Sequence, residues 1–208
     1  MIKKLSILCM LILFFGSVAW GDSASNRKDQ TVRLGIKTGL HLMYFVTTPF
    51  VVEMPGEDWT FGLVYGSGKL EQTTTVTTSS SSSTTKEIWD LSTTELTGRY
   101  YFGNSFNVPF GIAMYTVHQD DWDYGSVNYE LDYSMTQLNI GIGNEWTYDW
   151  GGYLGVDWFQ GGAKLNDKIT VTRKSGTETS ASKSQAESKS TEINAFVGVF
   201  VMTFGFGF

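Results

Sequence analysis

The stretch QLNIGIGNEWT, residues 137–147, alternates apolar side chains with small or polar ones. Leu138, Ile140, Ile142 and Trp146 share one parity; Asn139, Gly141, Gly143 and Glu145 share the other. Successive side chains of a β-strand point to opposite faces, whereas a helix needs apolar residues at i, i+3 and i+4. The stretch therefore reads as a strand with one apolar face and one face of small or polar groups.

The same period recurs on both sides of it. Val108, Phe110, Ile112 and Met114 oppose Gly111, Ala113 and Tyr115, and Leu96, Tyr100 and Phe102 oppose Thr97, Arg99 and Tyr101. Near the start, Val32, Leu34, Ile36 and Leu40 oppose Arg33, Gly35, Lys37 and His41. At the end, Phe200, Met202, Phe204, Phe206 and Phe208 oppose Val199, Val201, Thr203, Gly205 and Gly207. A soluble sandwich produces similar alternation, but three features favour a closed barrel in lipid. The second face is rich in Gly rather than Lys and Glu, which suits a crowded interior. Trp146, Tyr148, Trp150 and Tyr100 stand at strand ends, where a membrane interface favours amphipathic rings. GNSFN (103–107) and YDWGG (148–152) are short connections, while 71–86 and 166–190 are long, polar and rich in Ser and Thr. Short turns at one end and long loops at the other characterise a transmembrane barrel.

Closure also explains the apolar finish FVGVFVMTFGFGF (196–208) in a chain of net charge −6. A last strand paired with the first leaves no edge, and its phenylalanines face lipid. Counting back from Phe208 places strands near 191–208, 152–165, 130–147, 107–118, 87–102 and 57–70. Two more come from 31–54, where HLMYFVTTPFVVEM (41–54) hides its turn. The expected fold is all-β, a closed antiparallel up-and-down transmembrane barrel of eight strands; ten would require a hairpin hidden in a loop.

The chain starts with Lys3 and Lys4, an apolar run from Leu5 to Phe15, then GSVAWGD. That is the layout of a cleaved export signal over 1–21, ending after Ala19 or Gly21. The apolar run is shorter than the ~20 residues of a spanning helix. Residues 22–30 follow as a short polar periplasmic segment, and 31–208 as the barrel domain. The single cysteine, Cys9, lies within the signal, so disulfide and thiolate chemistry are not expected. With 15 basic and 21 acidic residues there is no cationic stripe for nucleic acid.

The terminal aromatic segment, with Phe204, Phe206 and Phe208, resembles the C-terminal signature of Gram-negative outer-membrane proteins. RYYFGNSFNVPFGIAMY (99–115) is similar to a strand–turn–strand of the small OmpA-, OmpX- and OmpW-like barrels. The resemblance implies an integral outer-membrane protein whose C-terminal signal is read by the barrel assembly machinery. Its surroundings would be lipid bilayer and lipopolysaccharide, its state monomeric, and its extracellular ligand is not specified.

Parity turns Arg33, Lys37, Arg99, Glu145 and Asp157 inward, where an eight-stranded barrel is just wide enough for side chains to fill. Unpaired, each would be a costly buried charge, so mutual pairing and a polar plug are expected. The rival reading is a narrow conduit for small or apolar solutes, as OmpW-like barrels suggest. No cofactor motif is visible. Only His41 and His118 exist. VHQDDWDYGS (117–126) invites a Ser-His-Asp reading because some small outer-membrane barrels modify lipid A, but His118 is followed by Gln119 and Asp120 rather than by a His-x-Ser motif. Catalysis is therefore not expected. Asp121, Asp123 and Asp132 partly resemble a calcium loop, although a solvated acidic loop is the simpler expectation. TTTVTTSSSSSTT (73–85) and the mixed-charge segment 168–190 read as hydrated loops.

Overall fold

The computed structural model describes residues 22–77, 82–124, 127–177, 184 and 195–208, with backbone only at 74–77, 82–86 and 122–124. The expected signal, 1–21, lies outside the described residues. Eight strands form a ring: β1 (Arg33–Leu40), β2 (Phe50–Pro55), β3 (Trp59–Thr77), β4 (Ser82–Tyr101), β5 (Phe106–Tyr124), β6 (Val127–Thr147), β7 (Gly152–Ser175) and β8 (Gly198–Gly207). Each is antiparallel to the next, and β8 closes on β1 through pairs such as Leu34↔Phe206 and Ile36↔Phe204. The seam extends past the last strand residue, where Phe208 N–H donates to Val32 O at 2.9 Å and Thr31 N–H donates to Phe208 O at 2.5 Å. No sheet edge remains at the level of the seam.

The outside of the ring is an apolar belt. Leu96, Ile112, Met114, Ile140, Ile142 and Phe204 are all exposed. Their strand partners are also outward, so the belt is continuous around the wall, a surface suited to lipid hydrocarbon. At the terminal end, which carries helix α1 (Ser23–Lys28) and Phe208, aromatic rings form a girdle: Trp59 lies 4.4 Å from Tyr100, Tyr100 4.6 Å from Phe102, and Trp150 5.3 Å from Phe206. The hairpin connections there are tight. Gly103 (φ 84°) and Gly151 (φ 92°) occupy the left-handed region that side chains disfavour.

The wall has unequal height. β1, β2 and β8 are 8, 6 and 10 residues long, whereas β3 to β7 run from 19 to 24. β2 pairs with β3 only between Phe50↔Tyr65 and Pro55↔Thr60, and β7 pairs with β8 only from Gly152 to Gln160. Helix α2 (Leu42–Thr47) fills the inside of the low wall. Gly66 and Gly68 of β3 permit its approach, since a Cβ at either would collide with the backbone of Pro49 or Val46. The other helix, α1, lies across the terminal end.

Several sequence expectations change. The segment 71–86 is strand over much of its length, laddered from Glu71↔Ile88 to Thr77↔Ser82, and β7 continues to Ser175 inside the segment 166–190. Thr and Val favour extended backbone, and ladder hydrogen bonds form without an apolar face to betray them. The hidden turn in 41–54 is α2, and β8 starts at Gly198 rather than near 191. Val199 does not oppose Phe200: both are exposed, because Phe200 has φ 50° and the register slips between Thr38 and Leu40. A β-bulge of this kind re-aims one side chain.

Candidate functional site: a filled lumen and a charged outer rim

The lumen is crossed at successive levels. At the terminal end α1 acts as a lid. Asp22 caps it by accepting from Ser25 N–H at 3.2 Å. Arg27, fully buried, donates to Gly56 O (3.1 Å), to Glu57 O (2.7 Å from Nη2) and to Asn104 O (3.3 Å), while its guanidinium lies 3.5 Å above the Tyr101 ring. These carbonyls belong to the β2–β3 and β4–β5 turns, so one side chain ties two hairpins to the lid. Burial lowers Arg27's affinity for its proton, partly offset by Tyr101 and Glu145. Lys28, on the solvent side of the helix, holds its proton more tightly because Glu57 accepts from it at 2.9 Å.

Above the lid lies an ionic layer. Arg33 of β1 reaches Glu145 of β6 at 2.5 Å and donates to Thr147 Oγ1 at 2.6 Å. Arg99 of β4 forks onto Asp157 of β7, at 2.6 and 3.1 Å, and its Nε stands 3.5 Å from Glu145. Tyr101 also donates to Glu145 at 2.7 Å. All four ionic side chains are buried. Every pair spans the lumen instead of joining adjacent strands, so the inward charges tie opposite walls together. Glycines make room for the large groups: a Cβ at Gly35 would strike the Tyr153 hydroxyl, and one at Gly62 would strike Glu53.

The middle level is built around Glu95. It accepts from Tyr44 at 2.6 Å, from Asn139 at 3.1 Å and from Lys37 at 3.3 Å. Three donors on a buried carboxylate offset much of its desolvation. Higher still the lumen is apolar and aromatic. His41 stacks on Tyr44 at 4.1 Å, and Tyr115 meets Phe196 edge-on at 5.2 Å. Met43, Met135, Leu91 and Val117 pack around them. Phe196 is held there by its backbone: its N–H donates to Gln137 Oε1 at 2.7 Å, and Gln137 Nε2 donates to its carbonyl at 2.8 Å.

Arg33, Arg99, Glu145 and Asp157 thus form one network inside the barrel, while Lys37 pairs with Glu95 at the next level; Glu53 is buried in the same lumen. Glu53 escaped notice because it sits in the nearly continuous apolar run 41–54. Glu95 did carry a signal, since it has the opposite parity to the outward Leu96. Phe204 and Phe206 lie in β8 facing outward, and Phe208 follows that strand at the seam.

The histidines do not meet. His41 is inside the lumen, whereas His118 points outward from β5, four residues past Met114, the last exposed apolar residue among the described side chains of that strand. His118 Nδ1 lies 2.7 Å from Asp132 Oδ1, and Nε2 lies 3.4 Å from Asp120 Oδ1. The hydrogen bond with Asp132 raises the ring's affinity for a proton. Nε2, the atom that would take a proton from a serine nucleophile, faces a carboxylate instead. Ser126 and the side chain of Asp123 lie outside the described residues. Asp121 pairs with Lys174 at 3.4 Å while Asp132 pairs with His118, so these two aspartates serve different partners.

No protein-family profile and no curated protein matches the sequence. Among solved structures, the crystal structure of Acinetobacter baumannii CarO superposes with a TM-score of 0.44 and 12% identity, covering 88% of this chain and 99% of that chain.

Proposed function

We propose that the chain is an occluded outer-membrane barrel with a structural or surface-interaction role, its terminal end in the periplasm and its tall β3–β7 wall outside the cell. The observation that carries this reading is the sequence of cross-lumen ties: the Arg27 lid, the Arg33–Glu145–Arg99–Asp157 layer, the Glu95 cluster and the Phe196 aromatic cap. The apolar belt and aromatic girdle support residence in a bilayer. The export signal at 1–21 and the terminal Phe204, Phe206 and Phe208 support delivery to the outer membrane by way of the barrel assembly machinery. Lipid and lipopolysaccharide are its surroundings in this reading, and the extended strands present Thr-rich ladders to whatever it meets outside.

A planar-bilayer recording tests it. The purified barrel should give no steady single-channel steps. Reproducible steps would replace the plug with the rival narrow conduit for small or apolar solutes, in which α2 and the 195–197 segment would have to move aside. Mass analysis of lipid A from expressing cells tests the remaining enzyme reading, and unchanged lipid A is the expected result.

A further inference from the structure

The outward face of β5 and β6 beyond the apolar belt carries a set of metal-binding groups that a plug does not use. His118 and Asp132 are direct cross-strand partners, and Glu130 stands two residues from Asp132 on the same face. One ligand atom from each of the three lies within 4.8 Å of the others. An imidazole nitrogen and carboxylate oxygens bind a zinc-class ion at about 2.0–2.2 Å. Rotation of side chains on a fixed ladder is enough to bring three such atoms to that distance.

Two further features separate this cluster from an ordinary acidic surface. Neighbouring carboxylates already have cations: Asp90 pairs with Lys69 at 3.0 Å, and Asp120 and Asp121 with Lys174 at 3.8 and 3.4 Å. Among the described residues, no lysine or arginine pairs with Glu130 or Asp132; the group that stands against Asp132 is the His118 ring. The second feature is the position of Asp120 on the other ring nitrogen, at 3.4 Å. A carboxylate there fixes the tautomer and orientation of a metal-bound imidazole. The register also slips between Gln119 and Trp122, immediately beyond His118, and bulges of this kind often re-aim side chains beside sites.

We propose that His118, Glu130 and Asp132 bind one divalent transition ion of the zinc class, leaving a fourth position open to water or an external oxygen ligand. A nitrogen donor with two carboxylates selects such ions over magnesium or calcium, which favour all-oxygen shells. The site pins β5 to β6 at the rim, where the tall wall leaves the bilayer.

The test is calorimetric titration of zinc chloride into the full barrel, folded in detergent, stripped with a chelator and held near neutral pH. One equivalent should bind, and His118→Ala and Asp132→Asn should each weaken binding by at least about tenfold. Asp121→Asn, which alters only a carboxylate facing Lys174, should leave it unchanged. Heat-modifiable gel migration establishes that each variant is folded. Should either variant fail to fold, the wild-type histidine ring signals decide: zinc should shift His118 and leave the luminal His41 in place. Absence of binding, binding that survives loss of His118, or equal binding of magnesium would overturn the proposal.

Discussion

Arg99 and Asp157 meet across the lumen as a two-pronged pair, with Nη1 2.6 Å from Oδ1 and Nη2 3.1 Å from Oδ2. Neither can turn to bulk water, since both are buried. Arg99→Met should therefore cost ~3–5 kcal/mol, because it strands a carboxylate in a closed interior. Removing Asp157 as well should recover most of that loss, while Glu145 keeps Arg33. Urea unfolding from lipid vesicles puts both variants on one scale. A single variant costing below ~1 kcal/mol, with changed ion selectivity, would mean a hydrated lumen.

The belt makes a separate prediction about lipid. Ile142 points outward from β6 and is exposed. Arginine there should destabilise the barrel by ~2–4 kcal/mol if the site is near the bilayer midplane. Gln72, exposed on the upper part of β3, should accept arginine almost silently. Equal tolerance at both positions would contradict lipid contact along the belt.

Deleting Phe208 should lower outer-membrane yield several-fold, while deleting Thr177, exposed just beyond β7, should not. The terminal residue is placed to serve twice, in the proposed assembly signal and in the seam bonds with Thr31 and Val32. Refolding the purified deletion variant into detergent separates the two roles, since the assembly machinery is then absent. Matching yields in cells would remove the assembly role.

Arg27→Ala should free α1. The change removes the hydrogen bonds to Gly56, Glu57 and Asn104 and the contact with Tyr101. Amide exchange over residues 23–28 should accelerate at least tenfold, about 1.4 kcal/mol of lost protection or more, with the strands unaffected. Unchanged exchange would show that Ser23, whose hydroxyl accepts from Thr147 N–H at 2.8 Å, and Asn26, which donates to Thr147 O at 3.1 Å, hold the lid by themselves.

His118 supplies a pH dependence. In chelator its ring should titrate above the ordinary value of 6.5, chiefly through the hydrogen bond with Asp132. A raised folded pKa means the stabilisation is complete below the unfolded value and fades as pH rises through the folded midpoint. The pair is partly exposed, so the effect on stability is ~1 kcal/mol or less. Ring resonances followed against pH should show the raised midpoint, and Asp132→Asn should return it toward 6.5. A midpoint that Asp132→Asn leaves unmoved would dissociate the shift from this pair.

Parity was the legible part of this molecule. Leu138, Ile140 and Ile142 mark one face of β6 from the sequence alone, and the short connections at 103–107 and 148–152 mark where strands turn. Parity assigns Arg99 a face but does not name Asp157 as its partner, because the stagger between distant strands decides which side chains share a level. α2 was illegible for another reason. Leu42–Thr47 is six residues long, too short for a helical period to separate from a strand, and apolar on nearly every side. The Thr-rich ladders of β3 and β4 show no apolar alternation, so a reading built on hydrophobic period passes over them.

The buried ion pairs also bear on how the barrel forms. Arg33–Glu145 joins residues 112 apart, Arg99–Asp157 joins residues 58 apart, and Lys37–Glu95 joins residues 58 apart, all between strands that are not neighbours. A partly wound sheet has its hairpins but none of these ties, so each charge stays hydrated until the ring curls shut. The benefit of pairing and the expulsion of water then arrive together, in the last step of closure. Non-local contacts of this kind slow folding, and they should make closure all-or-none, with hairpin signals and lumen signals lost in a single unfolding transition.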